Sequence, residues 1–183
     1  MQKYDDLVKK CKKYTRIVVS GPQRSGTTYM AKQLSESLNY EHADEYSFSI
    51  RNLGMFKQKL DKENIVIQAP ALTHILAEIN HPRTLVIWMK RDFDDVKRSE
   101  DRIGWHPKDS SWEFAIYLQR FVNHFDLIRS FDRSAPMKTK IFEDVQSPKM
   151  KVDWLYVDYE IAESSPNYIK PENRKNFHSK QTK

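Results

Sequence analysis

The 183-residue chain predicts an α/β domain, a three-layer parallel sheet with helices on both faces. Three observations carry that expectation. Short β-branched or apolar runs alternate with stretches of helical periodicity. The run Ile17-Val18-Val19-Ser20 feeds a turn bounded by Gly21 and Gly26, and a helical pattern begins at once. Thr84 to Met89 is almost wholly apolar, as a strand buried on both faces must be.

Taken in order, residues 4–13 fit a short polar helix and residues 16–20 the first strand, with Arg16 at its mouth. Thr27 to Asn39 fits a helix, with Met30, Leu34 and Leu38 recurring every four residues on one face. Residues 46–50 read as a short strand and 51–61 as a helix. Asn64 to Gln68 is a strand ended by Ala69-Pro70, and a helix from Ala71 to Ile79 turns Leu72, Ile75, Leu76 and Ile79 inward. After the Thr84–Met89 strand the helical pattern resumes from Asp94 to Ile103. Trp112 to Phe131 reads as the longest helix, with one broad apolar face. Two late strands are expected, at Lys138 to Phe142 and Trp154 to Asp158. Residues 1–165 are read as one domain, and 166–183 as a basic tail, either solvated or closing over an anion.

Composition narrows the function classes. Apolar residues make up 39% and charged residues 31% of the chain. No apolar run approaches the ~20 residues that span a bilayer. The start, Met-Gln-Lys-Tyr-Asp-Asp, lacks the order of a signal peptide. The single cysteine, Cys11, excludes an internal disulfide and a multi-cysteine metal site, so a cytoplasmic setting is expected. No cluster has metal-ligand spacing, no metal is expected, and no nucleic-acid signature stands out. The formal charge of +6 favours anionic ligands in general. The oligomeric state is left open, a homo-oligomer included.

Two stretches carry chemistry. The first is Gly21-Pro22-Gln23-Arg24-Ser25-Gly26-Thr27-Thr28, whose glycine spacing matches a P-loop. Thr27, however, stands where a nucleotide triphosphatase has its lysine, and the nearest cation is Arg24 inside the loop. The backbone N–H groups and hydroxyls of Ser25 to Thr28 suit a phosphate or sulfate ester at a helix N-terminus. The second is Lys90-Arg91-Asp92-Phe93-Asp94-Asp95-Val96-Lys97-Arg98-Ser99, which leaves a buried strand and enters a helix. Arg91 at the strand tip and Ser99 two turns on can grip one phosphate together.

In that order along the chain, these motifs resemble the two cofactor signatures of PAPS-dependent sulfotransferases (PAPS is 3′-phosphoadenosine-5′-phosphosulfate). The Arg-Ser-Gly-Thr-Thr loop is closest to the protein-tyrosine and bacterial members. The resemblance implies the P-loop-like sulfotransferase fold and in-line sulfuryl transfer from PAPS to a hydroxyl or amine acceptor, releasing the bisphosphate PAP without a metal. It implies a 5′-phosphosulfate site at Gln23, Arg24, Ser25, Gly26, Thr27 and Thr28, and a 3′-phosphate site at Arg91 and Ser99. Phe93 replaces the family's usual proline. Val66-Ile67-Gln68-Ala69-Pro70 is similar to the family's Lys-x-Pro strand, but with Gln68 for lysine. Either transfer is slowed there or another residue supplies the charge. Tyr156-Val157-Asp158-Tyr159-Glu160 resembles the late strand, and Arg174 and Lys175 resemble the C-terminal phosphate clamp, with Asn176 for glycine. The catalytic expectation is Arg24 as the cation on the leaving phosphate, with the base Glu45 or His74, and His42 or Asp44 as further candidates.

Two rivals stand beside this. A P-loop nucleotide or nucleoside kinase explains the first motif but not Thr27. A non-catalytic nucleotide-binding relative explains Gln68 and the open base assignment.

Overall fold

The computed structural model of the chain describes residues 3–45, 47, 53–103, 135–166 and 168. Their centre is a five-stranded sheet of order β2-β3-β1-β4-β5, with all four pairings parallel. The strands are β1 (Arg16–Ser20), β2 (Glu41–Ala43), β3 (Ile65–Gln68), β4 (Thr84–Lys90) and β5 (Asp153–Asp158). Around them run α1 (Tyr4–Cys11), α2 (Thr27–Leu38), α3 (Leu53–Asp61), a 3-10 helix (Pro70–Glu78) and α4 (Phe93–Arg102). Helix α5 (Ala135–Ile141) passes into a π-helical turn (Phe142–Gln146), and α6 (Tyr159–Glu163) follows β5. Among the described residues no helix is long and apolar enough to cross a membrane.

Strand alternation sends neighbouring side chains to opposite faces, and both faces are covered. Ile17, Val19, Val66, Leu85, Ile87, Met89 and Val157 meet Tyr4, Leu7 and Cys11 of α1, Met30 and Leu34 of α2, and Ile161 of α6. Val18, Ile65, Ile67, Val86 and Trp88 meet Phe56 and Leu60 of α3, the 3-10 helix residues Leu72, Ile75 and Leu76, and Phe142. The expected three-layer α/β class is therefore the observed one. At the N-terminal edge of the sheet the buried Arg16 is a staple. Its Nε donates to Leu60 O (2.6 Å) and its NH1 to Pro82 O (3.0 Å).

One strand expectation lies almost wholly outside the described residues, and one is corrected. Of residues 46–50, read as a short strand, only 47 is described; the strand at that edge of the sheet is Glu41–Ala43, which the sequence reading did not assign. Only Ala43 of that strand is buried, so backbone pairing with β3 holds it and no apolar pattern announces it. Lys138 to Phe142 is helical, not extended. Lys138, Phe142 and Gln146 are all buried and recur every fourth residue, which is a helical period whose first and last members are polar. Phe142 stacks on Trp88 with ring centroids 4.0 Å apart and planes 4° from parallel. Gln146 Oε1 accepts from the Ala77 N–H (3.0 Å). The helix expected at 112–131 and the tail from 169, with Arg174 and Lys175, lie outside the described residues.

Candidate phosphate-binding site

The loop between β1 and α2 lies at the C-terminal edge of the sheet, on its central strand. The chain order reverses beside it: β3 lies on one side of β1 and β4 on the other. Ligands of parallel sheets bind at such a switch point, in the crevice beyond the strand ends.

The loop residues are fixed by their surroundings. Gly21 has φ +139°, and a Cβ there would stand 2.8 Å from Met89 O, a backbone atom that cannot yield. Gly26 has φ +88°, and its Cβ would stand 2.7 Å from the Tyr159 ring. Arg24 also takes a left-handed φ, of 67°. Ser25, fully buried between them, donates its hydroxyl to Pro22 O (2.6 Å), while its N–H reaches the same carbonyl (3.2 Å). Left-handed backbone at Arg24 and Gly26 is the conformation from which an anion nest is built, with the Ser25 N–H itself engaged by Pro22 O. Helix α2 begins at Thr27 with no side-chain cap and no acid in its first turn, so its positive dipole end serves that nest. Thr27 is buried and Thr28 is exposed.

The second motif does converge on the first. Arg24 Nε donates to Ser99 Oγ (3.1 Å) and Arg91 NH1 donates to Arg24 O (2.8 Å). Ser99 is buried on α4 and its hydroxyl also accepts from Arg102 NH2 (3.4 Å). Arg91 Cζ stands over the Tyr159 ring, 4.1 Å from its centroid, and its Nε is buried with no partner among the described residues. Arg91 and Ser99 are thus bonded to the loop itself, at the same residue, Arg24.

A cation that the sequence reading missed approaches from the other side. Lys138 of α5 is 2% exposed, and its Nζ donates to Gln23 Oε1 (2.8 Å) and Pro70 O (3.1 Å). The available signal was the four-residue spacing to Phe142. Gln68 is buried at the tip of β3, beside Val19 of β1.

The candidate bases scatter. Asp44 and Glu45 follow β2, which β3 separates from β1. Asp44 Oδ1 accepts from the Ser47 N–H (3.0 Å) and so shapes a turn. His42 is half-buried on β2, and burial holds its imidazole below the ordinary value; its Nε2 has no partner among the described residues. His74 sits on the 3-10 helix, its side chain outside the described part. Among the described residues no group of three or more His, Cys, Asp or Glu is placed to hold a metal.

Beside the loop opens a cleft of about 430 Å³. It is lined by Pro22, by Lys90, Arg91 and Asp92 after β4, and by Asp158 and Glu160 after β5. Lys90 Nζ stands 3.9 Å over the Tyr156 ring. Asp92 is partly committed, since its Oδ1 caps α4 through the Asp94 (2.9 Å) and Asp95 (3.1 Å) N–H groups.

No family model matches the chain. No curated protein matches it. A shikimate kinase from Acinetobacter baumannii, in complex with shikimate, is similar in structure at 12% identity and a TM-score of 0.48, over 85% of this chain and 90% of that one. The YorR protein from Bacillus subtilis, in complex with phosphorylated GDP, is similar at 12% identity and a TM-score of 0.42, over 80% of this chain and 86% of that one. Neither is a sulfotransferase. On that finding the expected PAPS-dependent sulfotransferase is corrected: the family, the sulfotransferase label on the fold, the enzyme type, and PAPS and PAP as cofactor and product. The geometry offers a reason the motifs misled. Arg91 and Ser99 sit within hydrogen-bond reach of Arg24, so their spacing is met by contacts within the protein.

Proposed function

We propose that the Gly21–Gly26 loop holds the phosphate chain of a nucleotide, and that the chain is a phosphotransferase of the nucleotide or nucleoside kinase class. The observation that supports this most is the loop itself. It combines left-handed backbone at Arg24 and Gly26, an uncapped helix N-terminus, and the guanidinium groups of Arg24 and Arg91 at one switch point. Phosphoryl transfer asks little covalent work of a protein; positioning and neutralising developing charge supply most of the catalysis. In this reading the nest N–H groups and Thr27 and Thr28 orient the phosphates. Arg24, steered by Ser99, offsets charge on the leaving oxygen. The adjoining cleft seats a small acceptor bearing hydroxyl or amine donors, which Asp158 and Glu160 would accept.

A second reading, nucleotide binding without turnover, is favoured by Thr27 in the lysine position and by the scatter of the candidate bases. Thermal shift with Mg·ATP, Mg·GTP and adenosine 3′,5′-bisphosphate tests the site, and acceptor-dependent ADP or GDP release tests turnover. Stabilisation by a Mg-triphosphate with release supports the kinase reading, and stabilisation without release supports the binder. A larger shift from the bisphosphate without Mg²⁺ than from either triphosphate defeats the kinase reading, and no shift from any of the three defeats both.

A further inference from the structure

A P-loop lysine spans the phosphates of a triphosphate as a point charge, and this loop has Thr27 in that place. The charge need not come from the same position in sequence if the fold delivers it in space. Lysine is almost never fully buried unless something engages its ammonium. Yet Lys138 is buried to the last few per cent, and its Nζ is aimed at the loop's own Gln23 side chain (2.8 Å) and at Pro70 O (3.1 Å). Gln23 adjoins Arg24, whose guanidinium points the other way, to Ser99 on α4. The loop is therefore flanked by cations on both sides: Arg24 and Arg91 toward β4, and Lys138 toward the end of β3.

We propose that Lys138 is the loop's phosphate-binding lysine, delivered from α5 instead of from position 27, and that it contacts the terminal phosphate of a bound nucleoside triphosphate. The inference rests on the nucleotide reading above and adds the residue that reads the terminal phosphate. Gln23 holds the ammonium in the ligand-free chain. On binding, a phosphate oxygen replaces the neutral amide oxygen as acceptor, a stronger charge-assisted bond. The lysine's flexible four-carbon stem permits that exchange with α5 in place. The plainer alternative is a strut, in which Lys138 only ties α5 to the loop and to the 3-10 helix.

The two separate cleanly in the full chain, by calorimetric titration with Mg·ATP and inorganic tripolyphosphate. Lys138→Met keeps the length and removes the charge. The proposal expects tenfold or greater loss of affinity for both probes; the ligand-free melting temperature falls under either reading, since Gln23 Oε1 and Pro70 O lose their donor, so affinity decides. It also expects Lys138→Met/Thr27→Lys to recover affinity. A strut expects less than twofold change in affinity and no recovery; that result overturns the proposal while leaving the nucleotide reading intact. If the unaltered chain binds neither probe, the nucleotide reading and this inference fall together. If Lys138→Met does not fold, the Nζ resonance of Lys138 in ¹⁵N-lysine-labelled chain, assigned with Lys138→Arg, decides. A shift on adding tripolyphosphate supports the proposal, and an unmoved signal in the bound state overturns it.

Discussion

Gly26→Ala tests whether the loop conformation is built around a glycine that nothing else can replace. The residue has φ +88°, a backbone region that costs an L-residue about 1–2 kcal/mol. The added Cβ would also lie 2.7 Å from two carbons of the Tyr159 ring. That ring cannot swing away freely. Tyr159 is buried, with the Arg91 guanidinium 4.1 Å over its ring and the Tyr168 hydroxyl 3.3 Å from its own. Overpacking of this kind adds about 1–3 kcal/mol. Together the two effects amount to about 2–5 kcal/mol, or a fall in melting temperature of roughly 5–15 °C for a chain of this size. Urea denaturation of Gly26→Ala, Tyr159→Ala and the double variant separates the causes. Removing the ring relieves the clash but not the backbone strain, so the double variant should be less destabilised than the two singles predict, by about 1–3 kcal/mol. A Gly26→Ala midpoint within about 0.5 kcal/mol of the original chain would refute the strain argument. Strict additivity in the cycle would refute the role of Tyr159.

Three further outcomes are expected. Phe142→Ala opens a cavity beneath Trp88 where a stacked ring stood 4.0 Å away, and should cost about 3–5 kcal/mol by urea denaturation. A loss below about 1 kcal/mol would mean the π-helical turn is not anchored there. Burial pushes the Cys11 thiol up to about 12, so Ellman's reagent at pH 8 should label it far more slowly in the folded chain than in urea; equal rates would contradict its burial. Burial also depresses the His42 imidazole, against Asp44 and Glu36 and with Lys32 assisting. Below about pH 6.5 the unfolded chain then binds a proton the folded chain resists, so stability falls as the pH drops from that value toward the folded one. Because His42 is only half-buried the change should be modest, and His42→Asn should flatten it. An unchanged slope in the variant would assign the effect elsewhere.

Strands that are apolar on both faces were legible in the sequence. Ile17 to Val19, Ile65 to Ile67 and Leu85 to Met89 are β-branched or large and wholly buried, so pattern and environment agree. Glu41-His42-Ala43 was not legible, because an edge strand is chosen by the backbone ladder of its neighbour, and its side chains carry little of the energy. Lys138 to Phe142 misread for a related reason. Periodicity counts apolar residues, and the helical face of α5 and its π-helical turn buries Lys138 and Gln146 alongside Phe142. A polar residue satisfied inside the fold is invisible to a hydrophobic count.

The same asymmetry explains what could be read of the site. The Gly21–Gly26 loop is local: both glycines and the helix start after them lie in one short stretch, and the backbone at the glycines follows from residue type. The Arg91–Ser99 spacing was also legible, but its meaning was not. A guanidinium and a hydroxyl two turns apart are equally suited to gripping a phosphate and to steering Arg24, and the observed bonds from Arg24 to Ser99 and from Arg91 to Arg24 O take the second option. Which partner a polar group finds is decided by the parallel pairing of β1 with β4, a long-range fact that no spacing encodes. Lys138 is the extreme case. It reaches Gln23 across 115 positions of sequence, because α5 packs where Pro70 closes β3. A loop lacking its own lysine looked defective in one dimension, while in three the ammonium stands against it.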